Sequence, residues 1–213
     1  MDTHQPPAPE ALMIRGFALY RGWLDAPAQA AIMDDVRALW AAAPPVRPVT
    51  RWGKQMSVAM SSAGAVGWTS DRRGYRYSPV QPDGRPWPAI PSRLLMLWDA
   101  LSGAPVPPDS CLVNLYRDGA RMGLHQDRDE ADFRWPVVSV SLGDEALFRI
   151  GNVQRGGSTE SVWLQSGDVM VMGGDARLVH HGIDRIRPGS SRLVPGGGRV
   201  NLTLRVAGPV AGQ

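Results

Sequence analysis

The 213-residue chain carries 23 lysines and arginines against 20 aspartates and glutamates, a formal net charge of +3, with 43% hydrophobic and 20% charged residues. These values fit a globular chain able to bury a real core, and a charge this small does not by itself establish a polyanion partner. A single cysteine, Cys111, excludes an intramolecular disulfide and points to a reducing compartment, and no apolar run reaches membrane-spanning length. The start, Met1 to Glu10, is proline-rich and polar and lacks the basic and apolar regions of a signal peptide. The expected location is therefore cytoplasmic, with no membrane partner.

In chain order, residues 1–11 read as a disordered tail, and Leu12 to Tyr20 as a short apolar strand. Asp25 caps a predicted helix running to about Ala43, with Ile32, Val36, Leu39 and Trp40 at helical spacing, and Pro44-Pro45 stops it. A second helix is predicted from about Pro91, with Leu94, Leu95, Trp98 and Leu101 on one face and Gly103 beyond its end. Both stripes read as core-facing support.

Between the helices, residues 46–90 change character. Trp52, Trp68, Tyr75, Tyr77 and Trp87 are interleaved with Gly, Ser and Pro. From Val46 to Arg76 the six cations Arg47, Arg51, Lys54, Arg72, Arg73 and Arg76 face Asp71 alone, a local net of 6 − 1 = +5. Met56 to Met60 alternates like a strand, and Arg73 to Tyr77 reads as the edge of a hairpin. A long, irregular, aromatic and basic segment suits a binding lid better than a packed layer. Aromatic stacking combined with phosphate contacts is the physical recipe for gripping single-stranded nucleic acid.

After a linker from Ala104 to Pro108, strand-like runs follow closely: Cys111–Tyr116, Pro136–Leu142, Leu147–Ile150, Ser161–Leu164, Asp168–Met172, Leu178–Gly182 and Val200–Val206. Many short strands with Gly-rich turns predict a sandwich or barrel. The expected fold is mainly β with flanking helices: a double-stranded β-helix, or jelly-roll, whose mouth can host a metal. It would occupy residues 104–207, with N-terminal helices and lid in 12–103 and a short tail at 208–213. The Pro/Gly-rich stretch Pro188 to Gly198 carries no readable pattern. A monomer is expected, because no sustained heptad is present.

The chemistry gathers on His125-Gln126-Asp127. On an extended strand residues i and i+2 project together, so His125 and Asp127 share a side while Gln126 turns away. Two imidazoles and a carboxylate on one face suit non-haem Fe(II) oxygen chemistry. Neighbours on a strand face opposite ways, so only one of His180 and His181 can join; His181 is taken because it precedes Gly182, leaving His180 a packed side chain. The closing strand sorts by parity, with Arg199, Asn201, Thr203 and Arg205 on one face and Val200, Leu202, Leu204 and Val206 on the other. Asn114 and Tyr116 share a face in the same way. Lining a barrel together, these side chains would bind a small dicarboxylate through charge-assisted bidentate bonds.

Asn114-Leu115-Tyr116, His125 to Glu130, His181-Gly182-Ile183 and Arg199-x-Asn201-x-Thr203-x-Arg205 together resemble the AlkB-type Fe(II)/2-oxoglutarate-dependent dioxygenases that repair alkylated DNA. The resemblance covers roughly residues 12–206. Gly67-Trp68-Thr69 and Gly74-Tyr75-Arg76-Tyr77-Ser78-Pro79 resemble the nucleotide-recognition lid of the bacterial members. It implies that His125, Asp127 and His181 hold Fe(II). It implies that Asn114, Leu115, Tyr116, Arg199, Asn201 and Arg205 hold 2-oxoglutarate, one arginine per carboxylate, and that O2 is consumed. Trp68 would stack on a flipped base, with Tyr75, Arg76 and Tyr77 contacting it or its backbone, Asp129 against the cationic base and Arg155 at the rim. The implied substrates are N1-methyladenine and N3-methylcytosine, chiefly in single-stranded DNA, with duplex DNA or RNA, tRNA included, as alternatives; the rival from another class is a non-catalytic nucleic-acid-binding barrel, against which the intact triad and both arginines argue. The implied reaction hydroxylates the N-methyl carbon and releases formaldehyde. Base extrusion follows from geometry, since a base edge cannot be reached inside the stack.

Overall fold

The computed structural model describes residues 10–208, so the expected tails lie outside it over 1–9 and 209–213. Its elements are β1 (Leu12–Ile14), β2 (Phe17–Tyr20), α1 (Ala26–Ala42), β3 (Ala59–Gly64), β4 (Gly67–Asp71), β5 (Gly74–Ser78), α2 (Ser92–Leu101) and β6 (Ser110–Tyr116). They continue with β7 (Met122–His125), β8 (Val137–Gly143), β9 (Ala146–Ile150), β10 (Glu160–Leu164), β11 (Val169–Met172), β12 (His181–Ile186) and β13 (Arg199–Arg205).

A seven-stranded sheet in the order β1-β2-β11-β8-β13-β6-β3 faces a four-stranded sheet in the order β10-β9-β12-β7, and all the pairings are antiparallel. This is the expected jelly-roll. β1, β2 and β3 pair within the large sheet, so the segment 12–103 supplies strands to the core as well as helices. β4 and β5 stand apart as a two-stranded hairpin.

Strand parity separates two apolar cores. Between the sheets lie Phe17, Leu19, Leu112, Phe148, Ile150 and Met170. On the outer face of the large sheet, Val138, Val140, Leu142, Val200, Leu202 and Leu204 pack against Ile32, Met33 and Val36 of α1 and Leu94, Leu97 and Trp98 of α2. Helix α1 starts where predicted: the Asp25 carboxylate accepts from the Ala28 amide at 2.9 Å, a cap worth about 1 kcal/mol. Burying the helical stripes hides the outer face of β8, β13 and β6 and frees their inner face to carry polar groups.

Several local expectations shift. The single strand over Leu12–Tyr20 is a tight hairpin, folded at Arg15 and Gly16, both with positive φ (48° and 83°). The strand expected from Met56 begins only at Ala59, because the Met56 amide is taken by the Pro48 carbonyl. The strand expected over Leu178–Gly182 starts instead at His181 and runs on to Ile186; Gly174–Ala176 just before it form a 3-10 turn. The extended strand expected through His125–Asp127 lies earlier, as β7 over Met122–His125, and leaves Asp127 beyond its end. Its run Met-Gly-Leu-His has no β-branched residue, and pairing with β12 makes it a strand.

The stretch 188–198 gains its explanation here. The buried Asp144 carboxylate accepts from the amides of Gly189, Ser191 and Gly198 and from the Ser190 hydroxyl. One carboxylate thus anchors an otherwise irregular loop and delivers the chain into β13. Gly198 lies only 2.3 Å, measured from a hypothetical Cβ, from the Tyr116 carbonyl oxygen, so no side chain fits there.

Candidate metal and co-substrate site

β7 and β12 run antiparallel with His125 directly opposite His181, and their ring centroids lie 4.7 Å apart. Gly182 permits this approach: a Cβ there would sit 2.4 Å from the Met122 carbonyl oxygen. Each imidazole places Nδ1 against a backbone carbonyl, Gly123 for His125 (2.9 Å) and Val179 for His181 (3.0 Å). A carbonyl only accepts, so Nδ1 carries the proton and Nε2 presents its lone pair inward. Asp127 lies beyond the end of β7, its carboxylate oxygens 3.7 Å from His125 Nε2 and 3.8 Å from His181 Nε2. The three candidate donor atoms all fall within 4.8 Å of one another. Two imidazoles and a carboxylate on one side form the donor set that suits Fe(II) and leaves further positions for other ligands.

His181 joins this group as expected, although it opens a strand rather than closing one. His180 faces away, its Nδ1 against the Asn152 carbonyl at 2.9 Å. Gln126 also turns aside, donating to the carbonyls of Val153 and Leu178.

Electrostatics set the protonation states. Burial pushes the Asp127 carboxyl upward, but the Arg205 guanidinium, with His181, His125 and Arg177, overrides it and holds the group far below the usual carboxylate range. Burial depresses His181 to about 4 against the opposing pull of Asp127. The site therefore offers an anionic carboxylate and a neutral imidazole at neutral pH.

Asp127 is held by a network that sequence reading missed. Arg177 donates to the Asp127 carbonyl (2.6 Å), to the Trp135 carbonyl (2.9 Å) and to Glu130 Oε2 (2.9 Å). The Tyr77 hydroxyl donates to Glu130 Oε1 at 2.6 Å. Arg205 donates to Asp127 Oδ2 at 2.8 Å and its Nε lies 3.6 Å from Glu130. All five residues are buried. Glu130 stands in the run His125–Glu130 and its proximity was a usable signal; nothing local marks Arg177.

Of the residues expected to hold 2-oxoglutarate, Asn114, Tyr116, Arg199, Asn201 and Arg205 fall on the inner face of β6 and β13. Asn201 donates to Ser139 Oγ and the Val140 carbonyl, and Arg199 donates to Ser141 Oγ and lies over the Tyr116 ring. Four buried atoms here have no hydrogen-bond partner among the described residues: Asn114 Oδ1, Arg199 Nε and Nη1, and Arg205 Nε. Orphaned guanidinium donors in a closed interior are costly, and a bound carboxylate relieves them. The residues present fit a dianionic co-substrate. Leu115 is a correction: strand parity turns it to the helix-side core, away from Asn114 and Tyr116.

Above the metal triad opens a cavity of about 760 Å³ with apolar walls that include Met56, Met60 and Phe148. Trp68 of β4 and Tyr75 of β5 line it as a stacked pair, centroids 5.4 Å apart and 27° between planes. Trp68 Nε1 donates to Asp129 Oδ2 at 2.8 Å, which places that carboxylate on the cavity wall. Three expected substrate contacts differ. Tyr77 is buried beneath the pair and spends its hydroxyl on Glu130. Arg76 pairs opposite Thr69, on the hairpin face away from Trp68, and is tied bidentately to Asp71 at 3.0 and 2.8 Å. Arg155 is exposed on the loop between β9 and β10 and does not line the cavity.

Comparisons with known proteins agree with this geometry. The model of the 2OG-Fe(II) oxygenase superfamily matches residues 16–205. An alpha-ketoglutarate-dependent dioxygenase AlkB homolog of Caulobacter vibrioides is 60% identical over 196 residues, 92% of this chain and 89% of that protein. The alpha-ketoglutarate-dependent dioxygenase AlkB of Escherichia coli K12 is 41% identical over 209 residues, 96% of this chain and 93% of that one. Among solved structures, that of OsALKBH1 superposes with a TM-score of 0.79 at 32% identity, covering 92% of this chain and 99% of the other. Members of the superfamily need Fe(II), 2-oxoglutarate and O2, and the His125–Asp127–His181 cluster supplies the metal ligands that requirement calls for. The chain therefore belongs to the AlkB-type 2OG-Fe(II) oxygenases and is an Fe(II)- and 2-oxoglutarate-dependent dioxygenase.

Proposed function

We propose that this dioxygenase demethylates alkylated bases, N1-methyladenine and N3-methylcytosine above all, chiefly in single-stranded DNA, as a cytoplasmic monomer. The observation that carries the reading is the Trp68–Tyr75 stack with Asp129 bonded to it, set over the same cavity that holds the metal ligands. Both lesions are cationic and cannot pair normally. An aromatic face and a carboxylate together attract a flat cation, the cation–π share being about 0.5–2 kcal/mol. A damaged base is also the least costly to unstack.

In this reading Trp68 and Tyr75 receive the extruded base and Asp129 favours its charged form. The apolar walls exclude water from the methyl group. Arg205, bonded to Asp127, takes the 2-oxoglutarate carboxylate nearer the metal, and Arg199 at the far end of β13 takes the distal one. Asn114, Tyr116 and Asn201 complete that subsite. When bound, Fe(II) with 2-oxoglutarate and O2 supplies the oxidant that hydroxylates the N-methyl carbon, after which the hemiaminal releases formaldehyde and the restored base.

The decisive assay incubates the protein with Fe(II), 2-oxoglutarate, ascorbate and a single-stranded oligodeoxynucleotide carrying N1-methyladenine. Formaldehyde and loss of the methyl mass from the base are expected, with slower turnover on the matching RNA. Folded protein that leaves the methyl group in place would sink the proposal.

A further inference from the structure

The aromatic pair inside the cavity leaves one exposed tryptophan without a role. Trp52 is 73% exposed, the highest value among the large hydrophobic residues described, in a chain that buries Trp98 completely. A lone exposed hydrophobic residue means little by itself; its setting carries the argument.

Trp52 sits at the tip of a tight, well-bonded turn. Val49 bridges to Gln55, the Thr50 amide donates to the Lys54 carbonyl at 2.9 Å, and the Gly53 amide donates to the Thr50 carbonyl at 2.8 Å. The Lys54 amide adds a bond to Thr50 Oγ1 at 3.2 Å, and Gly53 takes the positive φ of 80° that closes the turn. The ends of the turn, Thr50 and Lys54, line the cavity together with Gln55 and Met56, whereas Trp52 does not. The turn thereby places the indole beside the mouth and outside it.

Its surroundings are cationic. The Arg51 guanidinium lies over the indole, 4.3 Å from the ring centroid. Arg47, Arg51 and Lys54 are exposed and, among the described residues, none has an ion-pair partner; Arg73 and Arg76 on the hairpin are both engaged by Asp71. Free cations beside an exposed ring whose one face is covered by a guanidinium match a nucleotide: phosphates for the cations, a base for the open face.

We propose that Trp52, backed by Arg51, is a second stacking platform that takes a base neighbouring the one drawn into the cavity. This rests on the nucleic-acid reading above. It makes the enzyme discriminate by strand: a methylated base with neighbours engages both platforms, and a free methylated nucleotide engages only Trp68 and Tyr75.

The test compares the parent, Trp52→Ala and Trp52→Phe on an N1-methyladenine oligodeoxynucleotide and on the N1-methyl-deoxyadenosine monophosphate alone. For Trp52→Ala, KM on the oligomer is expected to rise about tenfold, with kcat held and the mononucleotide KM unchanged, since stacking on one base is worth about that much. Trp52→Phe, which keeps an aromatic face, should recover most of the loss. Equal changes on both substrates, or none on the oligomer, overturn the platform. A second arm needs no turnover: anisotropy of a labelled, unmodified single-stranded oligothymidylate bound to the full chain, where Trp52→Ala is expected to weaken Kd by a similar factor. If the parent demethylates nothing, the proposed activity fails while this arm still decides the platform. A Kd unchanged in Trp52→Ala, or no binding by the parent, overturns it.

Discussion

Arg205 donates through Nη2 to Oδ2 of Asp127 at 2.8 Å, so a guanidinium proposed to take 2-oxoglutarate also braces a residue of the metal cluster. The same side chain has Glu130 at 3.6 Å and the Tyr77 hydroxyl at 3.4 Å. The metal cluster and the proposed co-substrate subsite thus share one buried charge network rather than standing side by side. Breaking such a network by deleting one partner leaves the other charges buried and uncompensated.

For Arg205→Met the expected loss of stability is about 3–5 kcal/mol in urea unfolding of the metal-free protein, the range for breaking a buried pair. Arg205→Lys should restore part of that stability without restoring 2-oxoglutarate affinity, because an ammonium lacks the guanidinium fork. A Met variant within about 1 kcal/mol of the parent contradicts the network reading.

Asp127→Ala should abolish turnover and Fe(II) binding while leaving affinity for single-stranded oligonucleotide largely intact. The carboxylate serves the metal, and the aromatic platforms do not depend on it. Anaerobic Fe(II) titration and anisotropy on one preparation decide this; concurrent loss of oligonucleotide binding would tie Asp127 to the substrate instead.

The two adjacent histidines should separate cleanly. His181→Ala is expected to lose activity altogether, since its Nε2 faces Asp127. His180→Ala, whose ring is turned to the Asn152 carbonyl, should keep activity within a few-fold and show only a lower melting temperature. Comparable kcat losses in both would mean that the register of β12 is misassigned.

Trp68→Ala should lower kcat/KM on methylated oligonucleotide by about tenfold or more, from loss of stacking. It also strips Asp129 of its hydrogen-bond donor. The uncoupled consumption of 2-oxoglutarate without substrate should persist, because the subsite proposed for it lies on β6 and β13, away from the β4–β5 hairpin. Unchanged demethylation would refute the base-stacking role.

Burial pushes the Cys111 thiol up to about 12, against a smaller lowering by Arg205. At pH 8 its thiolate fraction is then on the order of one part in ten thousand. A thiol reagent should leave the native protein unmodified and label it once urea unfolds it. Rapid labelling of the native state would place the thiol nearer the surface than its burial implies.

What the chain declares by itself is whatever local periodicity encodes. Alternation along Arg199–Arg205 separates polar from apolar faces before any sheet is built, and Asp25 with Pro44 brackets the first helix. His125 and Asp127 were legible because their spacing is local, and His181, far along the chain, because the family resemblance of its motif is specific. Tertiary structure alone decided which side chains those motifs left free to act. Tyr77 and Trp68 are cross-strand partners on one hairpin face, yet a buried Glu130 captures Tyr77 and leaves Trp68 to the cavity. Leu115 lies inside a binding motif but faces the helices, and β7 is a strand only because β12 lies beside it. Arg177 carries no local mark, since its role depends on the Asp127 carbonyl and Glu130 meeting it 50 and 47 residues away in sequence. Periodicity is a property of neighbours along the chain, whereas the capture of a charge by another charge depends on how the sheets close.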